Sequence, residues 1–370
     1  MRYSIRLIRI AGIDIGIHYS WLFIFLLVSW SLAASYFPSF YEGWATATYW
    51  LAGITGALML FVSVLLHELA HSFVAKSRGM SVSSITLFLF GGVSNLGEEP
   101  KKPSIEFFMS IVGPGSSLVL AVIFFGLLQL VGDDQSPLAA ILSYLALINA
   151  LLAAFNLLPG FPLDGGRVLR SIIWGTTGDL VKSTNIAATV GQFFGWGLIF
   201  FGVLQIFAGG FIFGIWIAFI GWFLSNAASA SRNEVALRQA LGGVRVKDVI
   251  KTQQQTVSPD ASLEELVDGI LSRYQLRAVP VCRQGKSLGI VSITDVKKVA
   301  REKWGETPVE KVMTRRPLLS ITLDDELTAA LDIMGKNRVN QLLVNQEGQC
   351  AWVIGIKDIQ DYLRLKQELG

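Results

Sequence analysis

Residues 59–77 read MLFVSVLLHELAHSFVAKS. An apolar run here carries His67, Glu68 and His71 through its middle. Positions i and i+4 share one face of a helix, so both imidazoles can reach a single metal ion. Glu68, beside the first histidine, is placed to take a proton from water that such a metal activates. Histidines and a carboxylate inside an apolar span are costly unless they have work to do. This argues against two histidines that merely share a polar pocket. Lys76 follows eight residues after Glu68, about 12 Å along a helix, which puts the cluster inside a bilayer but near one face.

The rest of the chain fits that setting. Of 370 residues, 52% are hydrophobic and 16% charged, against about 25% charged in a soluble protein. A disordered chain is excluded and a purely soluble enzyme is disfavoured. The net charge of +3, with no basic stripe in the apolar half, gives no case for nucleic acid. Charge divides unevenly. Residues 1–231 hold 10 Lys/Arg and 10 Asp/Glu, and residues 232–370 hold 21 and 18. The expected organisation is a membrane domain over 1–231, a linker over 232–244 and a soluble domain over 245–370.

Six runs are long enough to cross a bilayer: 19–36, 49–75, 105–131, 138–158, 187–207 and 211–228. Lys and Arg fall in alternate loops: Arg2, Arg6 and Arg9, then Lys76, Arg78, Lys101 and Lys102, then Arg167, Arg170 and Lys182. The positive-inside rule then puts both termini in the cytoplasm. Residues 81–89 read as a strand followed by a Gly91-Gly92 turn, and residues 2–17 as strands around Gly12. Such strands are either a structured cap or an exposed edge that pairs with an extended peptide. Gly191 and Gly195 form a GxxxG that marks close helix packing.

A catalytic zinc wants three protein ligands and an open position. His18, the remaining histidine, begins the first span, where a cap or interfacial role suits it. Among carboxylates Asp164 stands out, in NLLPGFPLDGGR (residues 156–167) directly after the fourth span. The prolines break the helix, and Gly165-Gly166 permit close backbone approach. The alternative for Asp164 is a helix cap. Asn149 and Asn156 are polar positions that could line a water path.

HELAH together with NLLPGFPLDGGR resembles the two signature motifs of the site-2 proteases, intramembrane zinc metalloproteases, in the branch with a C-terminal pair of CBS domains. The resemblance covers nearly the whole chain. It implies a polytopic helical membrane protein with six transmembrane helices and short membrane-associated strands, followed by a soluble α/β tandem CBS module. It implies His67, His71 and Asp164 as ligands of one catalytic zinc and Glu68 as the base. Asn156 would help stabilise the tetrahedral intermediate. The edge from Phe88 through Gly91 and Gly92 to Ser94 would hold substrate as an added strand. The family often has Asn soon after Gly-Pro in the third span; here Gly113-Pro114 is followed by Gly115, Ser116 and Ser117. Implied substrates are single-span regulatory membrane proteins such as anti-sigma factors or membrane-tethered transcription regulators, cut within or near their spans.

The tail contains a repeat with a shift of 63: Val246 with Val309, Ala278 with Gln341, and Ser292 with Gly355. Two such units complete each other's core. The tail resembles a tandem CBS module, which implies adenine nucleotide (ATP, ADP or AMP) and association as a homodimer. The first repeat keeps the nucleotide pattern as Ser292, Thr294 and Asp295, whereas the second keeps Asp358 but has Gly355 and Lys357 in place of Ser and Thr, so one site is expected rather than two. The plainer alternative is a pair that only folds and dimerises, with Asp295 as a helix cap. Cys282 and Cys350 lack metal-site spacing and are expected to be reduced in the cytoplasm. A competing function is a CBS-regulated cation transporter, or a non-catalytic membrane protein. The HELAH spacing and the loop position of Asp164 favour the protease, and no inverted repeat supports transport.

Overall fold

Apolar runs with no internal turn signal become long helices, and the β-branched segments between them become strands. The computed structural model describes residues 4–89, 91–96, 100–250, 255–315, 318–337, 339–345 and 352–368. The chain divides into two units, residues 1–235 and 236–370.

The first unit opens with β1 (Ser4–Ile10) and β2 (Ile13–His18), an antiparallel hairpin whose two turn residues, Ala11 and Gly12, both have positive φ. His18 ends β2 and caps α1 (Tyr19–Ser31), its Nδ1 accepting from the Ser20 amide at 3.3 Å. A cap is one of the two roles the sequence left open for it. A wide turn over Leu32–Tyr36 leads into α2 (Phe37–Phe40), and α3 (Thr46–Ser77) follows. Next come β3 (Val82–Phe88) and β4 (Gly91–Leu96), then α4 (Pro103–Leu128), α5 (Pro137–Asn156), α6 (Asp164–Thr177), α7 (Leu180–Phe207) and α8 (Phe211–Leu241). Among the described residues six helical stretches are long and apolar enough to cross a membrane: Tyr19–Phe40, Thr46–Ser77, Pro103–Leu128, Pro137–Asn156, Leu180–Phe207 and Phe211–Leu241.

The strands form one sheet in the order β1-β2-β3-β4, with β2 and β3 parallel and β4 at an edge. Ile13, Ile15, Val82 and Ile85 on its inner face pack against Leu69 and Ala75 of α3 and Met109 of α4. Burying each such aliphatic side chain is worth about 1.5–3 kcal/mol. The sheet is thereby fixed to the HELAH turn itself. Gly91 and Gly92, read from sequence as a turn, are the first two residues of β4, with Phe88 paired to Gly91. Gly91 has φ +126, a conformation that suits glycine.

Two other expectations change. Residues 232–241, anticipated as linker, continue α8. The Asn, Ala and Ser that signalled a boundary include no Gly or Pro, so nothing there stops a helix. Of the glycine pair on α7, only Gly195 meets α8, where its added Cβ would lie 2.7 Å from the Gly221 carbonyl. Gly191 instead faces the loop before α6: its Cβ would lie 2.0 Å from the Phe161 carbonyl oxygen.

The second unit holds two copies of one motif. The first has β5 (Ala278–Arg283), β6 (Lys286–Ser292) and α9 (Ile293–Val296), with β7 (Thr314–Arg315) added to its sheet in the order β5-β6-β7. The second has β8 (Ser320–Thr322), α10 (Leu327–Asn337), β9 (Gln341–Asn345), β10 (Trp352–Gly355) and α11 (Ile356–Glu368), with sheet order β10-β9-β8. The copies exchange segments. Leu241, Val244 and Val246 are buried with Leu327, Leu342 and Ile354 of the second copy. Val309 is buried with Val257, Val279 and Val291 of the first. Cys282 on β5 is disulfide-bonded where a reduced thiol was expected, and Cys350 lies outside the described residues.

Candidate metal centre

The centre is assembled from α3, α4 and the start of α6. Asp164 is the first residue of α6, and its cap position is taken by Leu163, so Asp164 is not the helix cap. Its carboxylate turns toward α3. Asp164 Oδ2 lies 3.1 Å from His67 Nε2 and 3.1 Å from His71 Nε2, and the two Nε2 atoms are themselves 3.1 Å apart. Zinc bonds of 2.0–2.2 Å at tetrahedral angles separate ligand atoms by about 3.3 Å or slightly more, so the triangle is a few tenths of an ångström tighter than a bound ion requires and close to the right size.

The tautomers agree. His71 Nδ1 is 2.6 Å from the Met109 carbonyl, which can only accept, so Nδ1 carries the proton and the Nε2 of neutral His71 presents a lone pair. His67 Nδ1 is 2.9 Å from Ser117 Oγ. Such a partner fixes ring orientation, and the hydroxyl can accept from an Nδ1–H that leaves Nε2 free for metal. Two nitrogen lone pairs and a carboxylate converging on one point leave a place for a cation. Gly113 forms its wall: a Cβ there would lie 2.1 Å from His71 Nε2 and 2.7 Å from His67 Nε2.

Glu68 is one residue from the triangle and held separately. Its Oε2 accepts from Ser94 Oγ at 2.8 Å, and Ser94 Oγ is 3.2 Å from Ser72 Oγ, one helical turn along α3. Gly92 lies over its stem, since an added Cβ would be 2.4 Å from Glu68 Cγ. Gly92 and Ser94 of the expected substrate edge therefore meet Glu68 directly, and Phe88 and Gly91 close the same hairpin. Asn156 is the last residue of α5 and donates its amide to the Leu152 carbonyl at 3.0 Å. That bond is within its own helix, not to the triangle. Asn149 is buried and donates to Ser63 Oγ and to the Leu145 carbonyl.

Met109, Gly113, Ser117 and Ser72 were not singled out from sequence as site residues. A backbone carbonyl carries no residue signature, and Ser117 is 50 positions from His67. The Gly113-Pro114 interruption in an otherwise apolar span was the one available signal.

In the tail the expected nucleotide residues differ in what they contact. Asp295 Oδ2 accepts from the Ser292 amide and hydroxyl, at 3.1 and 2.6 Å, and Oδ1 pairs with Lys298 Nζ at 2.7 Å. Ser292 and Asp295 thus form the cap of α9. Asp358 instead lines a cavity of about 670 Å³ with Tyr274, Arg277, Gln341 and Lys357; Ser292, Thr294 and Asp295 do not line it.

A model described as peptidase family M50 matches residues 55–135 and 133–198, and one described as CBS domain matches residues 246–302 and 309–365. The Rip3 protein of Mycobacterium tuberculosis is 38% identical, covering 99% of this chain and 93% of that protein. Zinc metalloprotease MJ0392 of Methanocaldococcus jannaschii is 31% identical, covering 100% of this chain and 99% of the relative. A solved structure of the site-2 protease from Methanocaldococcus jannaschii is 33% identical, with a TM-score of 0.44, covering 62% of this chain and 95% of that one.

Proposed function

The chain belongs to peptidase family M50, the site-2 protease type of zinc metalloprotease, and ends in two CBS domains; from that membership we propose that it hydrolyses peptide bonds within or near the spans of single-span regulatory membrane proteins. The observation that carries this is the triangle of two Nε2 atoms and one carboxylate oxygen, each 3.1 Å from the others. Held by His67, His71 and Asp164, a zinc ion supplies a Lewis acid for the scissile carbonyl and for water.

The protein's own groups do the rest. Glu68 takes the proton of the attacking water and delivers it to the leaving amine. The Ser94 hydroxyl, donating to Glu68 Oε2, leaves the other carboxylate oxygen for that task. A helical substrate hides its carbonyls in internal hydrogen bonds and must unwind. The free edge of β4, next to Glu68, supplies main-chain partners for the extended segment. Asn156 gives up its bond to Leu152 to donate to the developing oxyanion. The termini face the cytoplasm, and the tail, paired as a dimer, takes an adenine nucleotide at the Asp358 cavity.

The test is co-expression with a panel of single-span membrane proteins, including anti-sigma factors, comparing wild type with Glu68→Gln. Loss of a general base costs about 10²–10⁴ in rate, so cleavage seen with wild type should vanish on a blot. Cleavage that persists removes Glu68 from the mechanism. For the tail, ATP, ADP or AMP should raise the melting temperature, and Asp358→Ala should abolish the shift. A tail indifferent to all three nucleotides is no nucleotide sensor.

A further inference from the structure

We infer that the buried ion pair of Glu106 and Arg170 is a positioning device that sets the distance between Asp164 and the two histidines, and with it the hold on the metal. The inference rests on the zinc reading above.

Arg170 lies on α6, six residues after Asp164. Glu106 lies in the first turn of α4, three residues before Met109. Helix α4 then supplies everything that orients the imidazoles: the Met109 carbonyl for His71, Ser117 for His67, and the Gly113 wall. One ion pair thus ties the helix that begins with Asp164 to the helix that orients both histidines. Arg170 Nε donates to Glu106 Oε1 at 2.7 Å and Nη2 donates to the same oxygen. The guanidinium carbon stands 5.0 Å from the centre of the Phe161 ring, in the loop that delivers Asp164. Both charged residues are buried.

Stability alone is a weak reason for two charges here. A buried ion pair is often no better than apolar residues of similar volume, because desolvation offsets the attraction. A guanidinium does offer donors in a rigid fork, which fixes distance and angle where a flexible contact would not. Sites that must hold ligand atoms within about 0.5 Å depend on such support.

The experiment uses the full chain purified in detergent. Zinc affinity is measured by competition with a chromophoric chelator, with the melting temperature alongside. Wild type should bind one zinc and His67→Ala none. Glu106→Gln and Arg170→Lys should each bind about tenfold more weakly or worse, the usual loss when a supporting partner of a metal ligand is removed. The decisive protein is the double variant Glu106→Leu/Arg170→Met, which removes both charges of the pair. It should melt near the wild-type temperature yet stay about tenfold weaker for zinc. Its cobalt-loaded form should show a shifted visible absorption band, reporting altered ligand geometry. A folded double variant with wild-type affinity and an unshifted band overturns the positioning role. A wild type that binds no zinc overturns the zinc reading as well, and is seen before any variant is made.

Discussion

At the scale of single residues the centre is defined as much by what is missing as by what is present. Gly113 leaves the space into which both histidine rings project, and a methyl group would need to stand 2.1 Å from His71 Nε2. Gly113→Ala is expected to fold, because the obstruction is the far end of two side chains and not backbone. It should lose most of its zinc, measured as metal per chain after gel filtration; a full complement of zinc would mean the rings have room to retreat. In the tail, Asp295 makes a pH prediction. Burial by itself raises its pKa, but the bonds from Lys298 and Ser292 outweigh it and hold the carboxyl below its ordinary range. The folded tail therefore takes up that proton less readily than the unfolded chain. The stability Asp295 contributes is complete above the ordinary carboxylate pKa and is lost as pH falls through the lowered folded value. The melting temperature of Asp295→Asn should thus trail wild type by a constant margin above about pH 5, with the gap starting to narrow near the ordinary carboxylate pKa and closing only once pH is under the lowered folded value. A gap that persists in acid would assign the effect to packing.

At the scale of elements, the loop between α5 and α6 is held by backbone contact. Gly191 of α7 meets the Phe161 carbonyl, and Gly166 of α6 meets Gly160. Overpacking of this kind costs about 1–3 kcal/mol. Gly191→Val should therefore lower both the melting temperature and the zinc affinity, although α7 supplies no ligand. Unchanged affinity in a destabilised Gly191→Val protein would show that the loop's position does not depend on α7. These contacts explain which parts of the centre were legible in advance. His67, Glu68 and His71 are local, and their helical spacing is visible in five letters. Asp164 could be found because Pro and Gly interrupt an apolar chain around it. Glu106 and Arg170 are 64 residues apart; Arg170 read as an ordinary loop charge, and Glu106, at the start of the third expected span, was not singled out. Gly92 read as a turn because its requirement for space comes from Glu68 on another element. Alternation and apolar length reported the spans and the strands, whereas the contacts between them carry no period.

At the scale of the whole molecule, the chain distributes its charge between two units of different solvent. Residues 1–231, which carry the apolar helices and the centre, hold 20 charged residues, and residues 232–370 hold 39. The tail is not two beads in series. Val246 opens the first copy in sequence yet is buried in the core of the second, and Val309 opens the second copy yet is buried in the core of the first. Each copy therefore lacks part of its core without the other, and the tail should unfold in a single transition. Val246→Ala and Val309→Ala should each lower its stability by roughly 1–3 kcal/mol, within the range for shortening a fully buried aliphatic side chain. Hydrogen exchange provides the discriminating measurement. If the copies are interdependent, Val246→Ala speeds exchange in β5 and β6 as much as in β9 and β10, even though Val246 touches only the second core. Acceleration confined to β9 and β10 would show instead that the first copy stands without its neighbour.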